Sequence, residues 1–171
     1  MGMRFGISRL VAAAVFAAIP LSVLAQGAQV PFGAFQHDTS APVEVTAEQL
    51  SIDQSDGTAV FSGNVVVGQG EMRLTAATVR VRYAGQGGET GRRIERLEAS
   101  GGVTLVSGAE AAEAREALYT IDSGVIVMTG DVILTQGQNA LSAQKLTVNM
   151  EDGTGLLEGG VRTILQTGAN P

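Results

Sequence analysis

The side chains that could do chemistry are few and poorly placed for it. His37 is the only histidine of the chain, and with Asp38 beside it the pair has the makings of an acid–base couple. It sits in the Pro/Gly-interrupted stretch Pro31–Pro42, whose composition reads as a solvated lead-in. There is no cysteine, so no thiol nucleophile and no Cys/His spacing of the zinc type. The carboxylates Asp53, Asp56, Asp122, Asp131 and Asp152 fall at turns or on the polar side of alternating segments. No Gly-rich phosphate loop precedes a helix. Catalysis, a metal and a cofactor are therefore not expected. Basic residues are clustered: Arg73, Arg80, Arg82, Arg92, Arg93 and Arg96. Arginine suits phosphate and other anions, although a solvated strand and loop would explain the same cluster.

The N-terminus sets the compartment. Arg4 and Arg9 precede an apolar run from Leu10 to Leu24, and Val23-Leu24-Ala25 offers a small-residue cleavage site before Gln26. This predicts a secretory signal peptide over 1–25. A retained membrane anchor is the rival reading, but the uninterrupted part, Leu10–Ile19, is well short of the roughly 20 apolar residues a spanning helix needs. Without the leader the chain holds nine basic and 17 acidic residues. That acidic balance, with no tryptophan, argues against nucleic acid as a partner. Without disulfides the exported protein must be held by its core and its ladders.

An internal repeat organises what remains. Phe61-Ser62-Gly63-Asn64-Val65, Ala99-Ser100-Gly101-Gly102-Val103, Met128-Thr129-Gly130-Asp131-Val132 and Leu157-Glu158-Gly159-Gly160-Val161 share one pattern, their valines 38, 29 and 29 residues apart. A second pattern, Ala-x-x-apolar-x-apolar, begins at Ala47, Ala76, Ala114 and Ala143, spaced 29, 38 and 29. One nine-residue insertion within Ala84–Arg93 explains every departure from a period of 29. Turn signals at Asp56-Gly57, Ser123-Gly124 and Asp152-Gly153 alternate with others at Gln69-Gly70, Ser107-Gly108 and Gln136-Gly137. Each copy thus reads as strand, turn, strand, turn. Ala109–Ala117 is helix-like in composition, but the repeat assigns it to a turn and the start of a strand.

Period-two alternation separates an apolar face from a polar one. The inward set around the glycine motif holds Phe61, Val65, Val67, Leu97, Val103, Leu105, Ile126, Met128, Val132 and Leu134. From the alanine motif come Ile52, Val79, Val81, Tyr119, Leu146 and Val148, with Leu74 nearby. Strict alternation also puts the motif glycines inward, where a glycine packs nothing. A sharp bend explains that, and so does space left for a guest; the bend is preferred.

Phe61-Ser62-Gly63-Asn64-Val65-Val66-Val67-Gly68-Gln69-Gly70 resembles the F-T/S-G-N-V-x-V-x-Q-G segment of the OstA-like (LptA) lipopolysaccharide-export family. Met128-Thr129-Gly130-Asp131-Val132 is similar to that family's second L-T-G-N/D-V copy, and the likeness extends over about 42–166. The resemblance implies an all-β, twisted, V-shaped antiparallel β-jellyroll, open at both ends, here of four two-strand repeats. It implies a periplasmic, non-catalytic protein that relays lipopolysaccharide through an apolar groove. It further implies head-to-tail self-association, an LptC-like inner-membrane partner and an LptD-like outer-membrane partner.

The resulting domain plan is a signal peptide (1–25), a flexible lead-in (26–42), the jellyroll (43–166) and a short tail (167–171). Segments near Val43-Glu44-Val45 and Val161–Gln166 are the expected edges. The inward residues named above are the candidate lipid contacts, and Arg73, Arg80 and Arg82 the candidate headgroup contacts. Rivals are an LptC-like member anchored by an uncleaved leader, a β-solenoid scaffold with a dry interior, and a polysaccharide-acting β-helix enzyme. Intact-mass measurement of the exported protein is expected to place its N-terminus at Gln26; a retained leader would favour the anchored rival.

Overall fold

The computed structural model describes residues 27–31, 40–53, 55, 57–84 and 93–164. The leader, His37-Asp38, Asp56, Arg92, most of the insertion and the tail lie outside them. Among the described residues every regular element is a strand: β1 (Ala28–Pro31), β2 (Glu44–Thr46), β3 (Gln49–Asp53), β4 (Thr58–Gln69), β5 (Met72–Tyr83), β6 (Ile94–Ser107), β7 (Glu110–Thr120), β8 (Val125–Gln136), β9 (Asn139–Asn149), β10 (Thr154–Glu158) and β11 (Arg162–Ile164). The helix-like composition of Ala109–Ala117 is overridden by its neighbours, as β7 pairs on both sides. The pairings are antiparallel in one sheet of order β1-β10-β9-β8-β7-β6-β5-β4-β2, with β3 also on β4 and β11 also on β9. Two-residue turns led by Gly70, Gly108 and Gly137, all at positive φ, join the central hairpins.

One line across the sheet controls its shape. On β4, Ser62 faces Thr78 and Val65 faces Ala76, so Gly63 and Asn64 together oppose one residue, Ala77. The same two-against-one register occurs at Gly101-Gly102 opposite Arg115 and at Gly130-Asp131 opposite Gln144. These are β-bulges, with both residues of each pair at positive φ (81° and 43°, 86° and 85°, 86° and 49°). Gly159-Gly160 repeats the conformation beyond β10. A glycine first and a glycine, asparagine or aspartate second are the residues that tolerate this region. On the alanine strands the inward positions slip in step, from Leu74 and Ala76 to Val79 and Val81. The Ala-x-x-apolar spacing of three encodes that slip.

The bulge corrects the expected direction of the motif glycines. A Cβ on Gly63, Gly101, Gly130 or Gly159 would run into the side chains of Glu48, Ala77, Arg115 or Gln144, all exposed. The extra residue turns each glycine to the outer side, so they leave no inward space for a guest. They mark a crease.

The crease doubles the sheet over. Along the ladders Tyr119 aligns with Leu97, Val81 and Ala59. Ala59 is ten residues from Gln69, so a flat sheet would separate Tyr119 from Gln69 by more than about 30 Å. Their side chains instead share a 2.7 Å hydrogen bond. Two leaves therefore face each other, apolar sides inward. Leaf one ends in β3 at one edge and in β10 with β1 at the other; leaf two ends in β2 and β11. The described parts of the expected edges near 43–45 and 161–166, β2 and β11, are thus those of leaf two. The lead-in, expected to be flexible, contributes β1, whose four residues ending in proline carry little strand signal and whose pairing is wholly long-range.

Gly101→Val tests the crease, because its φ is +86° and its Cβ would lie 2.6 Å from the Ala77 Cβ. Strain of about 1–3 kcal/mol should lower the melting temperature by about 3–9 °C. Gly102→Asn, with open space where its Cβ would lie and at a positive φ of 85° (Asn64 takes 43° at the same position of the first copy), should lower the melting temperature less than Gly101→Val does, by circular dichroism.

Candidate functional site

Alternation on both sides of the crease directs the large apolar residues into the gap between the leaves. Val65, Val67, Leu74, Val79, Val81, Leu97, Val103, Leu105, Tyr119, Ile126, Met128, Val132, Leu134, Leu146 and Val148 are all buried there. They pack in one continuous cluster with Met72, Met150 and Leu157. The structure thus brings fifteen of the seventeen inward candidates together, and each leaf is the other's core.

The remaining two mark the end where that interior opens. Ile52 on β3 is 57% exposed and Phe61 on β4 is half-buried. Leu50, 53% exposed, pairs with Phe61, and Ile52 pairs with Ala59. Both leucine and isoleucine therefore lie on the inward side of leaf one and remain more than half exposed. Val45, Ala47, Leu50 and Phe61 line a shallow hollow beside this edge. The interior is continuous from this mouth through seven consecutive strand ladders to β10.

Polar side chains hold the rims together. The Tyr119 hydroxyl donates to Gln69 Oε1, with both residues buried. Gln69 Nε2 donates to the Ala41 carbonyl at 2.9 Å, and Gln136 Nε2 to the Pro31 carbonyl at 2.8 Å. Sequence reasoning read both glutamines as turn residues only. Their recurrence just before the hairpin glycines Gly70 and Gly137 was the available signal.

The arginine cluster does not converge. Arg73 donates to the carbonyls of Gly70 (2.6 Å) and Met72 (2.8 Å), closing its own hairpin. Arg80 and Arg82 lie across the crease on the outer face of leaf one, seven and nine residues farther along the same strand. Arg82 faces Arg96 directly across the ladder, and Arg96 Nε lies 3.0 Å from Glu98 Oε1. Arg80, Arg96, Glu98, Glu116, Leu118 and Val127 contribute to an outer concavity of about 500 Å³. Its mixed charge is separated from the apolar interior by the thickness of the sheet. Among the described residues no group of three or more His, Cys, Asp or Glu could hold a metal. The described residues offer a shielded apolar surface that is uncovered along β3.

Comparisons with known proteins agree with this architecture. Residues 44–154 match the family model described as LptA/(LptD N-terminal domain) LPS transport protein. An uncharacterized protein of Rhizobium meliloti is 31% identical over 144 residues, covering 82% of this chain and 77% of that one. The lipopolysaccharide export system protein LptA of Escherichia coli K12 is 28% identical over 126 residues, 70% of this chain and just under two thirds (66%) of its own length. The crystal structure of LptH, the LptA-homologous periplasmic component of the lipopolysaccharide transport device of Pseudomonas aeruginosa, superposes with a TM-score of 0.65 at 19% identity. It covers 75% of this chain and 98% of that one. The shared fold is the twisted, unclosed antiparallel β-jellyroll.

Burial pushes the Tyr119 hydroxyl up from 10.0 to about 12, partly offset by its hydrogen bond to Gln69. As pH rises from about 10 the unfolded chain loses this proton first while the folded chain keeps it, so stability falls across about pH 10–12. Urea titrations at pH 8 and pH 11 should show Tyr119→Phe losing about 1–2 kcal/mol at pH 8 and a smaller further loss at pH 11 than the parent.

Proposed function

This chain belongs to the LptA/LptD N-terminal-domain family of lipopolysaccharide transport proteins, which are transport proteins and not enzymes, and on that premise we propose that it carries lipopolysaccharide between its two leaves. The observation that supports this most is the apolar interior: continuous, two-sided and uncovered at the β3 mouth. Acyl chains enter there and part the leaves. Each CH₂ moved out of water is worth about 0.8 kcal/mol whether it lands on a side chain or on a lipid. A guest therefore replaces the contacts the leaves make with each other, and parting them costs little beyond the rim hydrogen bonds. Phe61, Val65, Val67, Met128, Tyr119 and the other inward residues act as core when empty and as lipid contacts when loaded.

The finer assignments follow the same reading. The protein works in the periplasm after its leader is cut following Ala25. It stands in a bridge, with an LptC-like partner at one edge and an LptD-like partner at the other, and further copies added head to tail. Edge strands are normally an aggregation hazard, and here strand addition is their use. Arg80 and Arg82 are the arginines left for a phosphorylated headgroup, since Arg73 is committed to its hairpin. One observation favours a second reading. The closed interior is packed as a β-scaffold's would be, and such a scaffold takes up no lipid.

Photo-crosslinking separates the two. A benzophenone side chain at Phe61, Val67 or Met128 is expected to capture lipopolysaccharide, while one at Ile133, exposed on the outer face of leaf two, is not. Silence at all three interior positions, with no lipid retained in native mass spectrometry, would sink the carrier reading in favour of the scaffold.

A further inference from the structure

The two edges of leaf one are not equivalent. At the β3 edge all five residues Gln49–Asp53 are exposed, and no described strand pairs with the outer side of β3. At the other edge β10, also five residues, is covered by β1 from the N-terminal segment. The register is Ala28 with Leu157, Gln29 with Leu156, Val30 with Gly155 and Pro31 with Thr154. Val30 packs against the core cluster. Gly27 fits so closely that a Cβ there would lie 2.8 Å from the Leu157 carbonyl oxygen. The Gln136 amide pins the Pro31 carbonyl at 2.8 Å. The chain then reappears as β2 at the opposite end of the sheet, so β1 is a remote segment and not a continuation of β10.

What β1 covers has the length and the pattern of what β3 offers. Leu50 and Ile52 point to the inward side of leaf one, as Gly155 and Leu157 do. A β3 strand from another molecule, laid against β10, would extend leaf one and bury its two exposed aliphatic side chains in line with the interior. It would need the position β1 holds. β1 is a weak incumbent: four residues, alternately exposed, ending in a proline that has no N–H to give.

We propose that β1 is a stand-in strand that occupies the acceptor edge of β10 in cis and competes there with β3 of a second copy of this chain. The proposal rests on the head-to-tail reading given above and adds to it a control on when the edge is open. An empty protein alone keeps β10 covered, which removes an exposed edge that would otherwise collect any extended peptide. Assembly then proceeds by strand exchange at one edge, and the bare β3 edge is the attacking side.

The absence of cysteine gives a clean background for the test. In the full mature chain, Gln29→Cys with Leu156→Cys places thiols on directly paired residues and locks β1 down when oxidised. Val30→Asp puts a charge into the core contact of β1 and releases it. Sedimentation velocity over a concentration series is expected to show the oxidised lock monomeric throughout, its reduced form associating like the parent, and Val30→Asp associating at least tenfold more tightly. Adding Ile52→Asp to Val30→Asp should reverse that gain. Unchanged association in the oxidised lock, or unchanged or weaker association in Val30→Asp, overturns the proposal; circular dichroism melts confirm that each variant folds. Lipopolysaccharide uptake on the same samples separates the two ideas. Uptake without any response of association to β1 ends the competition model and leaves the carrier reading standing, and loss of uptake in the parent does the opposite.

Discussion

The structure depends on one extra residue, inserted on one strand of each hairpin and always on the same line. Side chains on a strand alternate with period two, so a single inserted residue would send everything beyond it to the wrong face. Here the glycine strand takes the insertion as a bulge and the alanine strand takes a matching slip, so both halves of every hairpin keep their apolar residues on one side. The twist and bend that bulges introduce accumulate across the sheet. A surface that would otherwise lie open to water becomes two leaves closed on each other. Around the crease, Asn64 donates to Glu48 and Asp131 pairs with Arg115, so the second bulge residue is tied to the residue its glycine faces.

That arrangement explains why core and candidate site are the same atoms. In most domains a ligand pocket is a place where the core is missing. Here the two leaves are joined along the crease and fastened at their rims by a few hydrogen bonds, of which Tyr119 to Gln69 is the buried one. The apolar contacts between them are numerous but non-directional, and an acyl chain satisfies them as well as a leucine does. Directional bonds thus fix how the two leaves meet, while the hydrophobic effect would be nearly indifferent to whether the gap were filled by side chains or, as proposed, by lipid.

Much of this was legible in the residues and some was not. The 29-residue period, the two turn families and the inward set were readable because each is a local pattern, and the helix-like β7 was assigned correctly because four copies outvote one composition. The crease was half legible. Ala-x-x-apolar already breaks the period of two, but strict alternation was carried through Gly63 and its equivalents, which placed those glycines on the wrong side. β1 was not legible, since a four-residue strand that pairs with residues 154–157 leaves no local trace. The arginines misled by proximity in sequence: Arg73 and Arg80 share a strand but lie on opposite sides of the crease. Gln69 and Gln136 fall inside turn motifs, and only their recurrence before Gly70 and Gly137 sets them apart.

The crease runs at right angles to the strands, so the repeat behaves as a unit of length. Each copy adds two strands to both leaves at once, about 9.6 Å of interior at 4.8 Å per strand, and the next copy meets the same geometry as the last. The nine-residue insertion falls between β5 and β6 in the sequence, outside this count, and the two strands it joins pair as the others do. A chain built this way can be lengthened or shortened in steps of one hairpin pair by duplication or loss, with no redesign of the apolar interior it encloses. The span of the molecule is then set by copy number.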